Sequence, residues 1–268
     1  MEIKSILGSY LNLGYSFRNA QNLAAEEIVL TKISSSSLCE HVTLKGGIVM
    51  FTLTKNKRRV TQDIDFDFIR YSIDKESIKL FVEKLNEVND GISASISGSI
   101  EQLHQEDYQG VRIHLILSDS NLDHLKLKLD IGVHTYSAIE QNKLLFTFSN
   151  DEKALAIKVN PPEQIASEKL LSLARFGKLS TRYKDLYDMY YLISNKLIGL
   201  EKVNSYLNLF LSNSKKMPKT INELVNVINE TLDDKVFASE ASIPSSNWLD
   251  VQYKQVRNAI KSFVSKLK

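Results

Sequence analysis

The sequence contains little of what stabilises an exported protein or anchors one in a membrane. Cys39 is the single cysteine among 268 residues, so no disulfide can form within the chain. No apolar run approaches the roughly 20 residues that a transmembrane helix requires, and the first residues lack the apolar stretch of a secretory signal. We therefore expect a cytoplasmic protein that has no membrane partner.

Other scarcities exclude several classes of site. The formal net charge is only +2, which by itself gives no argument for binding to nucleic acid. The five histidines are not spaced as zinc ligands, and there is no G-x-S-x-G, Walker A or G-x-G-x-x-G motif. One basic segment, residues 254–268, has five Lys or Arg and no acid; it is either a solvated helix face or a contact for a phosphate backbone.

Proline and glycine are also few, so linkers are short, and the pair Pro161-Pro162 separates two patterns. Before it, β-rich segments cover about 64–68, 92–96, 111–117, 124–133, 145–148 and 155–159, and a short apolar segment covers 41–44. After it, helical spacing covers about 163–176, 181–195, 199–212, 218–231 and 251–267. The pattern predicts an α+β fold, with a mixed sheet in a domain of residues 1–160 and a helical bundle in a domain of residues 161–268. A single continuous α+β unit is the alternative.

Aspartates line one face of the predicted strand at 64–68. Asp63, Asp65 and Asp67 alternate with apolar residues, and Asp130 lies on the polar face of the predicted strand at 124–133. If the two strands are neighbours, the carboxylates of Asp63, Asp65 and Asp130 converge and repel one another unless a cation lies among them. Short oxygen ligands suit Mg²⁺ or Mn²⁺. The alternative is the solvated face of an edge strand, although aspartate is a poor strand former.

A glycine pair precedes these carboxylates. Gly46 and Gly47 stand between the apolar segment at 41–44 and a predicted helix at 48–54. Glycines at a strand-to-helix turn allow backbone N–H groups to approach phosphate oxygens. A tight turn without a ligand is the alternative interpretation.

These motifs together resemble the AbiEii/AbiGii group of the nucleotidyltransferase superfamily, toxins of abortive-infection and type IV toxin–antitoxin systems. The resemblance covers residues 40–195 and rests on motifs in the same order. They are Lys-Gly-Gly at 45–47, Arg-Val-Thr-Gln-Asp-Ile-Asp at 59–65, Leu-Lys-Leu-Asp-Ile at 127–131, Glu-Gln-Ile-Ala-Ser-Glu-Lys at 163–169 and Arg-Tyr-Lys-Asp-Leu-Tyr-Asp at 182–188. The implied fold is a nucleotidyltransferase-type sheet followed by helices.

The resemblance implies a catalytic role for five residues. Asp63 and Asp65 are expected to bind the metal, and Asp130 to join them as a third ligand. Lys169 is expected to contact the phosphates of the nucleotide, and Asp185 to complete the site. Whether Asp130 or Asp185 is the third carboxylate of the site stays open.

The resemblance also implies a set of nucleotide-binding residues around the glycine turn. Gly47 departs from the wider superfamily, in which many members have serine at this position, so a hydroxyl contact to phosphate is missing. The expected nucleotide-binding residues are Lys45, Gly46, Gly47, Arg59, Thr61 and Lys184.

The leading hypothesis is a metal-dependent nucleotidyltransferase toxin of phage defence. It uses an NTP as donor, Mg²⁺ or Mn²⁺ as cofactor, and tRNA or a protein as acceptor. The resemblance implies a cognate antitoxin as partner. Two alternatives are a nucleotidyltransferase that modifies a small molecule such as an antibiotic, and a non-catalytic binding protein that keeps the fold.

Overall fold

A computed structural model describes residues 1–105, 108–149, 154–215 and 218–268. The chain forms two compact units, Met1–Asn160 and Pro161–Lys268, and each is described by itself. No helix among the described residues is long and apolar enough to cross a membrane.

The first unit contains a seven-stranded mixed sheet with the strand order β3-β4-β5-β2-β1-β7-β6. Two neighbouring pairs, β2 with β5 and β1 with β7, are parallel, and the other pairs are antiparallel. The six predicted strands are confirmed, although β3 is longer than predicted and β6 begins earlier. The apolar segment at 41–44 forms most of a seventh strand, β1. The strands are β1 (Val42–Lys45), β2 (Asp63–Phe68), β3 (Ile92–Gln105), β4 (Tyr108–Asp119), β5 (His124–Val133), β6 (Asn142–Phe146) and β7 (Leu155–Val159).

Strand β2 has one apolar face and one acidic face, as its alternation predicted. Phe66 and Phe68 are fully buried, and both rings lie 5.5 Å, between centroids, from the ring of Phe81. Phe81 belongs to helix α4 (Lys75–Asn86), so α4 covers this side of β2. Because neighbouring side chains of a strand alternate, the aspartates of β2 project from the opposite face.

Three further helices belong to the first unit: α1 (Ile3–Asn12), α2 (Phe17–Ser34) and α3 (Gly46–Thr54). Lys32 fixes α2 to the segment after α4, because its buried Nζ donates to Asp90 Oδ1 at 2.8 Å and to two backbone carbonyls. Helix α3 begins directly after β1, with Lys45 as its N-cap. The strand-to-helix turn predicted around Gly46 and Gly47 is thereby confirmed.

The described part of the second unit is helical. The five helices predicted after Pro162 are confirmed, and one short helix, α9, had no counterpart among them. Tyr187 is fully buried and its hydroxyl donates to Ala241 O at 2.8 Å, so it is a core residue. The helices are α5 (Pro162–Phe176), α6 (Tyr183–Ser194), α7 (Leu200–Asn213), α8 (Ile221–Asp233), α9 (Lys235–Ala241) and α10 (Tyr253–Val264).

Candidate active site

Four charged residues form one row across the sheet. Lys45 of β1 lies opposite Asp65 of β2, and Asp65 lies opposite Asp130 of β5. Asp130 in turn lies opposite Arg112 of β4. Residues paired in this way project from the same face, so the side chains of Asp65 and Asp130 are neighbours. The structure therefore brings together the two strands whose polar faces carry the predicted carboxylates.

The carboxylates on this face are bound by basic side chains. Asp130 accepts two hydrogen bonds from Arg112, at 2.7 Å from Nε and 2.8 Å from Nη2. These hydrogen bonds raise the pKa of the Arg112 guanidinium. Asp63 lies opposite Lys128 of β5, and the Lys128 Nζ is 2.6 Å from Asp63 Oδ2. Asp130 thus forms a strong bidentate ion pair with Arg112, whereas Asp63 forms a simple ion pair with Lys128.

Asp67 holds the lysine of the glycine turn. Its Oδ1 lies 2.6 Å from Lys45 Nζ, and both side chains are largely buried. Lys45 therefore reaches across the face to Asp67, which is diagonal to it, although Asp65 is directly opposite. The position of the Lys45 ammonium is fixed by this pair at the start of α3.

The glycine turn is in close contact with the Asp-Ile-Asp strand. Gly46 has a φ of +67°, and a Cβ added there would lie 2.5 Å from Asp65 Oδ2. A Cβ added at Gly47 would lie 2.7 Å from Thr61 Oγ1 and 3.2 Å from Arg59 Nη1. Both glycines are required by these approaches, because real Cβ atoms do not tolerate such distances.

Thr61 connects this turn to the first aspartate of β2. Its hydroxyl donates to Asp63 Oδ1 at 3.1 Å and lies at the N-terminal turn of α3. Arg59, also predicted to bind nucleotide, is buried beside the same turn. The first turn of a helix presents unpaired backbone N–H groups and a partial positive charge, which favour an anion. The arrangement therefore places N–H groups, a hydroxyl and a guanidinium next to the carboxylates.

The donor set is suitable for a divalent cation. Among the described residues, no group of three or more His, Cys, Asp or Glu side chains is arranged to hold a metal by itself. Mg²⁺ in nucleotide sites usually takes only one or two carboxylates, and water and substrate phosphates complete its shell. Asp63 and Asp65, with Asp130 beside Asp65, provide hard oxygen ligands of this kind.

A second charged cluster lies within the helical unit. Lys169 of α5 contacts Asp185 of α6, and its Nζ lies 2.9 Å from Asp188 Oδ2. Asp188 is fully buried and Lys169 nearly so, whereas Asp185 is partly exposed. The structure thus brings the predicted pair Lys169 and Asp185 together and adds Asp188. Lys184 is exposed in the first turn of α6.

Several residues of these clusters were not predicted to belong to a site. Lys128 was visible in the alternation of β5, and Arg112 in the β-rich segment of β4, but only strand pairing shows which carboxylate each one meets. Glu26 of α2 gave no signal in the sequence. It is buried, and burial together with the charge of Asp63 raises its pKa well above the usual range.

Known proteins resemble this chain to different degrees. A solved structure described as an antigenic nucleotidyltransferase-like protein from Paracoccidioides brasiliensis is 16% identical, covers 80% of this chain and 92% of that chain, and has a TM-score of 0.44. No curated protein sequence matches the chain. The profile of the family described as "Nucleotidyl transferase AbiEii toxin, Type IV TA system" matches residues 28–264, a span that includes all the motifs above. Because this match covers most of the sequence, the chain belongs to the AbiEii nucleotidyl transferase toxin family of type IV toxin–antitoxin systems.

Proposed function

We propose that the protein is a metal-dependent nucleotidyltransferase toxin that transfers a nucleoside monophosphate from an NTP to an acceptor. An acceptor hydroxyl attacks the α-phosphorus and forms a new phosphorus–oxygen bond. The bond from the α-phosphorus to the bridging oxygen breaks, and pyrophosphate leaves with its electron pair. The hydroxyl proton passes to a carboxylate. The observation that carries this proposal is the Asp65–Asp130 pair, with Asp63 on the same face, in contact with the glycine turn at Gly46.

Asp63 and Asp65 are proposed to hold Mg²⁺ or Mn²⁺, and Asp130 to act as a third ligand or as the proton acceptor. A divalent cation in this position supplies charge neutralisation for the attacking and leaving oxygens. Asp65 is the central group of the three, because it lies between Asp63 on its own strand and Asp130 on the next one. Arg112 keeps Asp130 in a fixed orientation through its two hydrogen bonds.

The glycine turn is proposed to bind the triphosphate. Backbone N–H groups at Gly46 and Gly47 are available at the start of α3, where the helix dipole favours negative charge. Lys45, Arg59 and Thr61 lie around this turn and add two positive charges and a hydroxyl donor. An anion bound there lies beside the carboxylates of β2, as the reaction requires.

The cluster of the helical unit is proposed to serve the same reaction. Lys169 neutralises developing negative charge on the phosphates, and Lys184 adds a second cation. Asp185 and Asp188 orient the Lys169 ammonium through the ion pairs described above. That these residues act together with Asp63 and Asp65 is an inference from the family motifs.

The acceptor is proposed to be tRNA or a protein side chain, and a cognate antitoxin is the proposed partner. Family membership supports the antitoxin, since the family is one of toxin–antitoxin systems. The acceptor is taken from the resemblance of the sequence motifs alone. The growth of cells that express the protein distinguishes this toxin from a small-molecule nucleotidyltransferase. Cells that express a toxin stop growing, whereas cells that express a resistance enzyme do not.

The test is transfer of label from each of the four α-³²P-labelled NTPs to total tRNA or lysate protein in the presence of Mg²⁺. We expect label transfer by the wild type and a loss of about a hundredfold or more in Asp65→Asn, because one preorganised charged group is removed. Asp233→Asn, which neutralises a carboxylate of α8 in the helical unit, is the matched control and should keep full activity. Undiminished transfer by Asp65→Asn would contradict the proposed chemistry.

A further inference from the structure

The basic residues of the polar face bind their carboxylates in two different ways. Arg112 uses two nitrogens to engage both oxygens of Asp130. Lys128 Nζ, a single nitrogen, lies 2.6 Å from Oδ2 of Asp63, whose Oδ1 accepts a hydrogen bond from the hydroxyl of Thr61. A bidentate arginine pair is rigid and strong, whereas a lysine is a point charge on a flexible stem. Of the two ion pairs, the one at Asp63 is therefore the easier to open.

The Asp63–Lys128 pair is also open to solvent. The Lys128 side chain is 31% exposed and that of Asp63 is 28% exposed, so water reaches both charged groups. Ion pairs that are open to solvent contribute at most about a fivefold factor to an equilibrium constant. A divalent cation at Asp63 and Asp65 places positive charge next to the Lys128 ammonium, which must then leave Asp63.

We propose that Lys128 is an exchangeable counter-ion: it occupies Asp63 before the metal–nucleotide complex binds, competes with the divalent cation for that carboxylate, and afterwards neutralises the triphosphate. This inference rests on the proposed function, because it assumes a metal at Asp63 and Asp65. Lys128 lies directly opposite Asp63 on the neighbouring strand, so the released ammonium stays within reach of phosphates bound to the same metal. No backbone movement is needed, since the four-carbon stem of lysine can change rotamer.

The exchange has two consequences of opposite sign. Loss of the Lys128 charge removes the competitor, so binding of a divalent cation alone becomes tighter. The same loss removes a cation from the triphosphate, so binding of a metal–polyphosphate complex becomes weaker. A residue with a purely structural role would not change the two affinities in opposite directions.

The experiment compares Lys128→Met with the wild type and with Lys126→Met. Lys126 is the matched control, because it is an exposed lysine two positions earlier on the same face of β5. Binding of Mn²⁺ without nucleotide is measured by electron paramagnetic resonance, and binding of inorganic tripolyphosphate at saturating Mg²⁺ by calorimetry. Tripolyphosphate is the probe because it has the phosphate chain of an NTP without the nucleobase. We expect Lys128→Met to bind Mn²⁺ about fivefold more tightly and tripolyphosphate about fivefold more weakly.

The controls separate this inference from the proposed function. Lys126→Met should equal the wild type in both measurements, and Lys128→Arg, which keeps the charge, should restore wild-type tripolyphosphate binding. Lys128→Gln repeats the test with a polar side chain, and thermal unfolding verifies that the variants are folded. Equal Mn²⁺ affinity of Lys128→Met and the wild type, with binding abolished in Asp65→Asn, would overturn the exchange and leave the proposed function intact. Absence of Mn²⁺ binding in every variant would overturn both.

Discussion

At the scale of single residues, the site depends on two glycines, Gly46 and Gly47, because there is no room for a larger side chain at either position. Gly46 allows the carboxylate of Asp65 to lie against the backbone at the start of α3, and its φ of +67° is a conformation that other residues adopt at a cost. At position 47, Thr61 leaves no room for a side chain. The space that a serine would need at position 47 is filled by the Thr61 side chain, whose Cβ lies 2.8 Å from the added atom.

Gly46→Ala is expected to damage both stability and activity. The added Cβ must displace the Asp65 carboxylate, and the positive φ adds strain, so we expect the free energy of unfolding to fall by about 2 kcal/mol. Nucleotide transfer should be lost even at temperatures at which the variant is folded. Denaturant unfolding and the transfer assay measure the two effects.

Gly8→Ala is the matched control for this substitution. Gly8 lies inside α1, and nothing lies within 4 Å of a Cβ added there. Alanine is the better helix former, so this variant should be more stable by up to about 1 kcal/mol and equally active. If Gly46→Ala behaved like Gly8→Ala, the close approach to Asp65 would have no functional importance.

At the scale of elements, helix α2 carries a buried acid, Glu26. Within the part of the chain that the structure describes, its Oε1 has no hydrogen-bond partner. Burial first, and the charge of Asp63 second, raise the pKa of Glu26 well above its usual range. The folded protein therefore keeps the Glu26 proton at pH values at which the unfolded chain has lost it.

This shift predicts how stability depends on pH. Because the folded-state pKa is raised, Glu26 has no effect below the ordinary glutamate pKa, and its cost to folding grows as pH rises from there to the folded-state pKa. The slope for one proton is about 1.4 kcal/mol per pH unit. Glu26→Gln should therefore be more stable than the wild type at neutral pH, by a margin that shrinks as pH falls. Urea unfolding at several pH values measures it, and a difference that does not change with pH would show that folding does not raise the pKa of Glu26.

Elements were predictable where an alternating or helical pattern was strong. Strand β2 and its two faces follow from the alternation of aspartate with apolar residues, and β5 follows from the same rule. Helices α1 and α4 were not predicted. The start of α4 does contain a capping residue, because the Asp74 side chain accepts a hydrogen bond from Ser77 N. The short α9 offers too few turns for a periodic pattern to be recognised.

At the scale of the whole molecule, the two charged clusters belong to two separate units. Asp63, Asp65 and Asp130 lie within Met1–Asn160, whereas Lys169, Asp185 and Asp188 lie within Pro161–Lys268. The proposal that both clusters serve one reaction can be tested by the additivity of substitutions. Residues that act as a unit in catalysis show strongly non-additive losses.

We expect Asp65→Asn and Lys169→Met each to reduce nucleotide transfer by about a hundredfold or more, and the double variant to lose little beyond the more severe single variant. Metal binding should distinguish the two, because Asp65→Asn loses Mn²⁺ binding and Lys169→Met keeps it. Initial rates of label transfer and Mn²⁺ titrations are the measurements. Full activity of Lys169→Met would mean that the helical cluster is structural.

The sequence by itself determined which residues of β2 and β5 share a face, the helical character of the second part and the order of motifs that identifies the family. These features are local, because they depend on the spacing of residues along one strand or helix. Only the tertiary structure decided that β5 lies beside β2, and in which register. That register pairs Asp65 with Asp130 and Asp63 with Lys128. A shift by one residue would exchange every partner and turn the side chains to the other face, and nothing in either strand alone specifies it.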